Sequence, residues 1–336
     1  MATNSTHRVE VIEFPKMEKH ENAERLSIVR IFNGYTCVVA TDDWQGVQKC
    51  AYVPPDSLVP LDRPEFSFLA HEPYKHDTRF ARIKAKRLRG VVSMGLLVPV
   101  PDPCQLGDDV AELFGVQHYE PPLAESGGDA APPPSCYAPT YDLDTWRRYG
   151  HLLRPGERVI VTEKLHGSSG RWTFHDGVFH AGSRTEWKLD SAHGKRSIYW
   201  RVLHEHQELR RFLVAYPELI VYGEIYGYVM DLRYGAKKDE LHYAVFDLWH
   251  KWEGRWLSQV ECFLKIGKAL ERVPILFDGS YDPAFVEALQ DGRTYAGTDS
   301  MQQREGVVIA PWEERWDEKV GRVKLKLVGA GYLEQS

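Results

Sequence analysis

The sequence predicts an α+β protein of two domains, a small β-barrel followed by a larger domain with mostly β walls and flanking helices. Three observations predict it. The chain has 336 residues, the length of about two ordinary domains. Its first third is a series of short β-rich runs spaced by turn residues, the pattern of a small barrel. Between residues 120 and 139, six prolines and two glycines in twenty residues leave almost no apolar period, which reads as a flexible linker. The expected domains are therefore 1–119 and 140–336, joined by 120–139.

In the first domain the expected strands are Val9–Phe14, Leu26–Ile31, Thr36–Ala40, Lys49–Val53, Ala81–Leu88 and Val91–Val98, and only Leu106–Val116 looks helical. The stretch RFARIKAKRLRG, Arg79–Gly90, holds six basic residues and no acid. Arg82, Lys84 and Lys86 are two apart and would share one strand face. That face suits a nucleic-acid backbone; it also suits a solvated edge strand kept charged against aggregation. In the second domain Tyr141–Leu153 reads as helical and Glu157–Phe174 as strand, turn and strand. Ser197–Pro217 has helical spacing and stops at its proline. Further strands are expected at Leu219–Gly227, Leu241–His250, Glu305–Ala310 and Arg322–Val328, with a helical stretch near Val260–Leu270.

Composition narrows the function classes. With 43% hydrophobic and 27% charged residues the chain builds a real core. No run approaches eighteen apolar residues and the first residues lack a signal pattern, so the expectation is a cytoplasmic protein with no membrane partner. Five cysteines without a CxxC spacing argue against a disulfide framework or a cysteine zinc site. The net charge of −6 excludes a uniformly basic nucleic-acid binder, so any such surface is local.

Chemistry concentrates in the second domain. Lys164 lies where an apolar strand runs into the glycine turn of VIVTEKLHGSS, a setting that projects an amine into a cleft. Arg184 in AGSRTEW, Glu224 in LIVYGEIYG, Glu305 in REGVVIA, and Lys324 with Lys326 in RVKLKLV repeat the theme of charge within strands, where each needs a partner or water. Lys324 and Lys326, two apart, form a positive pair suited to phosphate oxygens. Phe246 and Asp247, being adjacent, are expected to face opposite ways. Taken one at a time, each reads equally as a solvated strand end, a surface ion pair or core. His204 and His206, at i and i+2 on a helix, are read as structural. Trp187 and Lys188 read as RNA contacts or as packing.

The order EKLHG, SRT, YGE, FD, EGVV, KLK over Glu163–Leu327 resembles the covalent nucleotidyltransferase superfamily of polynucleotide ligases and capping enzymes. His166 and the YGE spelling look like its RNA ligases. Only ten residues follow Lys326, and the candidate barrel comes first, so the chain resembles the Deinococcus-type, or fifth, RNA ligase family. That resemblance implies an N-terminal OB-fold barrel and a nucleotidyltransferase domain of antiparallel sheets with flanking helices. It implies an ATP-dependent RNA ligase joining 3′-hydroxyl and 5′-phosphate ends through lysyl-AMP and adenylated RNA, at nicks with RNA on the 3′-hydroxyl side. The partner would be RNA or an RNA-containing nicked duplex, met by a monomer.

Residue by residue, the resemblance makes Lys164 the nucleophile. Glu163 would read the adenine edge, Phe246 would stack on the base, and Arg184 would contact the ribose or the RNA end. Glu224, Asp247 and Glu305 would hold Mg²⁺ or Mn²⁺, and Lys324 and Lys326 the phosphates. His166 and Gly167 would complete the nucleotide pocket, and Arg82, Lys84 and Lys86 the nucleic-acid face of the barrel. A lysine near its reference value is neutral in only about one molecule in 2,500 at pH 7, so neighbouring cations are expected to favour its neutral form. The chain departs from the family at Ser169, where several relatives have asparagine, at Ala310, where some have lysine, and at His166, where aspartate is commoner. The alternatives are a GTP-using capping guanylyltransferase, a DNA ligase, and a catalytically inactive RNA-binding module.

Overall fold

The computed structural model describes residues 7–32, 34–119, 129–191, 197–299 and 302–335. They form two compact units, one within residues 6–123 and one within 124–336.

The first unit is built from short strands. Lys49–Val53 runs antiparallel between Glu10–Glu13 and Leu96–Pro99. Its alternate side chains feed two clusters: Ala51 and Val53 join Val11 and Phe66, while Cys50 and Tyr52 join Val29 and Trp44. A strand buried on both faces has to be apolar throughout, as this one is after its first residue. Leu26–Ile31 pairs with Tyr35–Ala40, close to the expected positions.

Two expected strands are broken. Val91–Val98 divides at Gly95, whose φ of +101° lies in the left-handed region and whose missing side chain makes room for the Val53 carbonyl and the Tyr52 ring. Ala81–Leu88 divides at Ile83 and Lys84 into Phe80–Arg82 and Ala85–Leu88, which belong to different sheets. The single basic face therefore does not form. Arg82 donates to Asp56 and lies 3.6 Å over the Tyr119 ring, Lys86 donates to Glu72 at 2.6 Å, and Lys84 is exposed. The helix expected over Leu106–Val116 is a single turn, Ala111–Phe114.

Among its described residues the second unit carries two main sheets and a two-stranded ribbon of Trp316–Asp317 with Gly321–Arg322. The larger has seven strands in the order Ala130–Ala131, Trp187–Lys188, Val178–Ser183, Ser168–His175, Leu219–Gly227, Leu241–His250, Arg255–Trp256, each pair antiparallel. Helices Ile198–Glu205 and Gln207–Ala215 cover one face, burying Trp200, Leu203, Leu209 and Leu213 against Trp172, Val221 and Val245. One helix was expected there; the chain breaks it at His206, where ψ is 87°. His206 packs edge-on against Tyr243 and His204 pairs with Asp190, both structural contacts.

The smaller sheet runs Asp144–Thr145, Leu325–Val328, Gly306–Pro311, Arg158–Lys164, Ile275–Ser280. Val159, Val161, Val307, Ile309, Leu325 and Leu327 turn one face into a core with Trp146 and Tyr149, leaving the other face for polar residues.

The linker expected over 120–139 needs correction for its described part. Ala130–Ala131 pairs with Trp187–Lys188, and Tyr222 donates its hydroxyl to the Pro139 carbonyl at 2.7 Å. Cys136, Ala138 and Tyr141 pack on Ile220, Tyr222, Trp249 and Trp256. Prolines are compatible with an extended segment laid along a sheet edge, so composition alone mistook it for free chain. Residues 120–128 lie outside the described part. Among the described residues no helix is long and apolar enough to cross a membrane.

Candidate active site

Lys164 is the last residue of its strand and pairs with Gly306 across the sheet. Thr162, two residues earlier, lies in one row with Val308 and Lys326. Residues directly opposite in an antiparallel pair share a face, so Lys164 and Lys326 present their amines on the same side. The Lys164 amine donates to Glu305 Oε1 at 2.7 Å. Glu305 Oε2 is buried without a hydrogen-bond partner, with His166 Nδ1 3.8 Å away. Burial alone would raise the Glu305 carboxyl; the adjacent Lys164 charge leads the effects that outweigh it and hold it below the usual carboxylate range.

The turn after Lys164 brings in the larger sheet. A side chain at Gly167 would stand 2.1 Å from the Ile225 carbonyl and 3.2 Å from Glu224 Cγ, so only glycine lets these two strands approach so closely. This approach places Glu224 beside the lysine. Burial pushes its carboxyl up to about 8; the Lys164 charge pulls it down, the Glu305 charge adds to the rise, and the Gly167 N–H favours the ionised form. Ser169 lies directly opposite Glu224. Ala310 is buried at the far end of its strand, opposite Ile160, and offers no charge.

His166 is held on two sides. Its backbone N–H donates to the Tyr234 hydroxyl at 2.7 Å, and its Nδ1 lies 3.3 Å from the Tyr332 hydroxyl. Burial, with the charges of Glu305 and Asp231, pushes the Tyr332 phenol up to about 12. Neither tyrosine was foreseen. Tyr332 sits in the short C-terminal helix Ala330–Gln335, where a sequence reader sees only a tail.

Three expected site residues do other work. Glu163 points to the face opposite Lys164, where its carboxylate accepts from Thr294 Oγ1 and from the Tyr295 N–H at 2.8 Å. It is therefore not aimed at a base on the lysine side. Asp247 is fully buried, and its carboxylate takes Arg322 at 3.0 Å and Lys324 at 2.8 Å, with Arg322 also bound to Glu314. These two acids and two bases make a closed, neutral network. Burial would raise the Asp247 carboxyl, but the two cations hold it below its usual range. So Asp247 has no oxygen to spare for a metal, and Lys324 spends its charge on Asp247 rather than crowding Lys164.

A β-bulge explains why alternation failed here. The register between Leu219–Gly227 and Leu241–His250 shifts at Tyr222/Gly223, leaving Phe246 as the unpaired extra residue. Phe246 and Asp247 consequently meet the same neighbour: the Tyr141 ring lies 4.5 Å from the Phe246 ring, and burial, with the Asp247 charge, pushes its phenol well above the usual range. Arg184 stands 3.7 Å from Asp142. Trp187 is buried under the Arg171 guanidinium, and Lys188 pairs with Asp129 and Glu186, so both have packing roles.

The Lys326 amine, on a partly exposed side chain, has no hydrogen bond or ion pair with a described residue. Lys326→Ala is expected to leave the melting temperature within about 2 °C of wild type, as for an unpaired surface side chain. Lys324→Ala, which strips Asp247 of a buried partner, is expected to lower it by more; thermal melts of the two variants check this.

A lysine at a strand end beside two recessed carboxylates, with a second lysine on the same sheet face, offers the groups that nucleophilic chemistry on phosphates requires. The comparisons agree in kind. The RNA ligase family model matches residues 157–328, just over half the chain, and an OB-fold domain model matches residues 9–100. The chain belongs to the RNA ligase family. Solved structures of Naegleria gruberi RNA ligase variants share the fold: one with ATP and Mn has a TM-score of 0.81 at 21% identity over 98% of each chain. Another, with AMP and Mn, has a TM-score of 0.81 at 21% identity, over 98% of this chain and 99% of that one. No curated protein matches the sequence.

Proposed function

We propose that this RNA ligase uses ATP, and that Lys164 is the residue that becomes adenylylated. The observation that carries the reading is the Lys164 amine held 2.7 Å from Glu305, with Glu224 beside it and Lys326 on the same sheet face. The Naegleria enzymes of the same fold were solved with ATP or AMP and Mn. In the first step the Lys164 nitrogen forms a bond to the α-phosphorus of ATP, the bond to pyrophosphate breaks, and the ammonium proton is lost. AMP then passes to an RNA 5′-phosphate, and a 3′-hydroxyl displaces it to close the strand. In-line displacements of this kind need positioning and charge neutralisation more than covalent help.

In this reading Lys326 meets phosphate oxygens, and Arg184 the ribose or the RNA end. Phe246, half-buried against Tyr141, is the candidate platform for the base. Glu224 and the unpartnered Oε2 of Glu305 fit a hard divalent cation, which takes one or two carboxylates and completes its shell with water and phosphate oxygens. Among the described residues no group of three or more His, Cys, Asp or Glu side chains is placed to hold a metal alone. When bound, such a cation neutralises phosphate charge. The substrate we propose is a nicked duplex with RNA on the 3′-hydroxyl side, as in the Deinococcus type.

The test is to incubate the protein with ATP or GTP labelled at the α-phosphate and with Mn²⁺, then denature it. Wild type is expected to retain label from ATP alone, and Lys164→Ala to retain none. Absence of label with either nucleotide would overturn the adenylyl reading. Equal sealing of nicks ending in ribose and in deoxyribose would remove the RNA preference.

A further inference from the structure

The C-terminal helix Ala330–Gln335 reaches the lysine pocket. The Gly329 N–H donates to the Glu305 carbonyl at 2.9 Å, the Gly331 N–H to Asp291 Oδ1 at 2.9 Å, and the Leu333 N–H to the Gly329 carbonyl at 3.1 Å. These bonds tie the helix to the residue that holds Lys164. On it, Tyr332 sets its hydroxyl 3.3 Å from His166 Nδ1, with the rings 5.5 Å apart.

The same nitrogen faces Glu305. A neutral imidazole has one N–H, and the proton's place decides what each neighbour receives. Were Nδ1 protonated, it could approach and donate to Glu305 Oε2; in the structure that oxygen is buried, 3.8 Å away and without a hydrogen-bond partner. A phenol that donates to Nδ1 makes this nitrogen an acceptor and moves the ring proton to Nε2. Tyr234, which takes the His166 backbone N–H, fixes the other side of the residue.

We propose that Tyr332 is a positioning residue for lysine adenylylation: by donating to His166 Nδ1 it holds the imidazole in the Nε2–H form and keeps a ring N–H from engaging Glu305 Oε2. The proposal rests on the adenylyl-transfer reading for its catalytic half, whereas the contact itself does not depend on it. It makes the C-terminal helix part of the site.

The test combines spectroscopy and rates on the full chain. In histidine-selective ¹⁵N spectra at neutral pH, with His166→Ala identifying the resonances, wild type is expected to show the Nε2–H form of His166, and Tyr332→Phe a mixture of forms. In single-turnover labelling with ATP, Tyr332→Phe is expected to be about tenfold slower at saturating ATP, with an unchanged KM and melting temperature. In a His166→Ala background the same change should alter the rate less than twofold, which a purely structural role would not produce. An Nδ1–H form in wild type, or His166 resonances unmoved by Tyr332→Phe, overturns the proposal whatever the activity. Equal losses in both backgrounds overturn its catalytic half. A wild type that takes no label overturns the adenylyl reading and that half with it, while the spectra still decide the contact.

Discussion

Replacing Asp247 with alanine is expected to destabilise the second unit by about 3–5 kcal/mol, the scale for removing one member of a buried ion network. Arg322 and Lys324 are both buried, and they would lose the carboxylate that balances them. For a unit of this size the loss corresponds to a melting temperature roughly 10 °C lower. Glu314 remains to hold Arg322, so Lys324 bears most of the loss. Thermal melts of Asp247→Ala and Asp247→Asn with and without Mn²⁺ discriminate between the two uses of this residue. A structural acid gives a large loss that is the same with and without the metal. A variant that folds at wild-type temperature but loses metal-dependent labelling would return Asp247 to the site as a metal ligand.

Glu224→Gln is expected to do the reverse and stabilise the metal-free protein, by an amount that depends on pH. The folded carboxyl holds its proton up to about 8, whereas an unfolded glutamate releases it near 4.5. Folding therefore takes up a proton between these values, and the wild type loses stability as pH rises through that window. Below about 4.5 the cost is absent; above about 8 it is complete. Allowing for the partial exposure of the side chain, it amounts to about 2–4 kcal/mol at its fullest. Glutamine has no such titration. In the presence of a chelator, the variant should melt with the wild type near pH 4.5 and well above it near pH 9. An offset that is constant across pH would show that Glu224 is not the group under strain. Added Mn²⁺ should narrow the gap at high pH if Glu224 holds the cation.

Much of the second unit was legible because its strands are long and apolar: Leu219–Gly227 and Leu241–His250 begin and end where the sequence placed them. The pairing of Lys164 with Glu305, and the approach of Glu224, agree with the motif order. Partnerships were not legible. Asp247 meets Arg322 and Lys324 across 75 and 77 residues of chain, and no local pattern specifies such distant pairings. Glu163 looked like part of the site because it is next to Lys164, yet neighbours in a strand point apart. In the first unit, alternation marked Ala81–Leu88 as continuous because a break at Ile83 and Lys84 needs no glycine or proline to announce it. Tyr332 was illegible for a different reason: its helix is six residues long, too short for any period to show.

The extra residue in Leu241–His250 bears on how this segment can change over time. Nine residues of Leu219–Gly227 pair with nine of the ten residues of Leu241–His250, and the surplus residue lets Phe246 and Asp247 both face Tyr141. Substitutions within the strand alter one side chain each. Deleting Phe246 would restore simple alternation and leave Val245 opposite Gly223 and Asp247 opposite Tyr222, whereas a deletion elsewhere in the strand would be absorbed at the bulge and exchange the faces of the residues in between. The strand thus tolerates a change of length at the bulge, and a sequence comparison that needs a gap here should open it at Phe246.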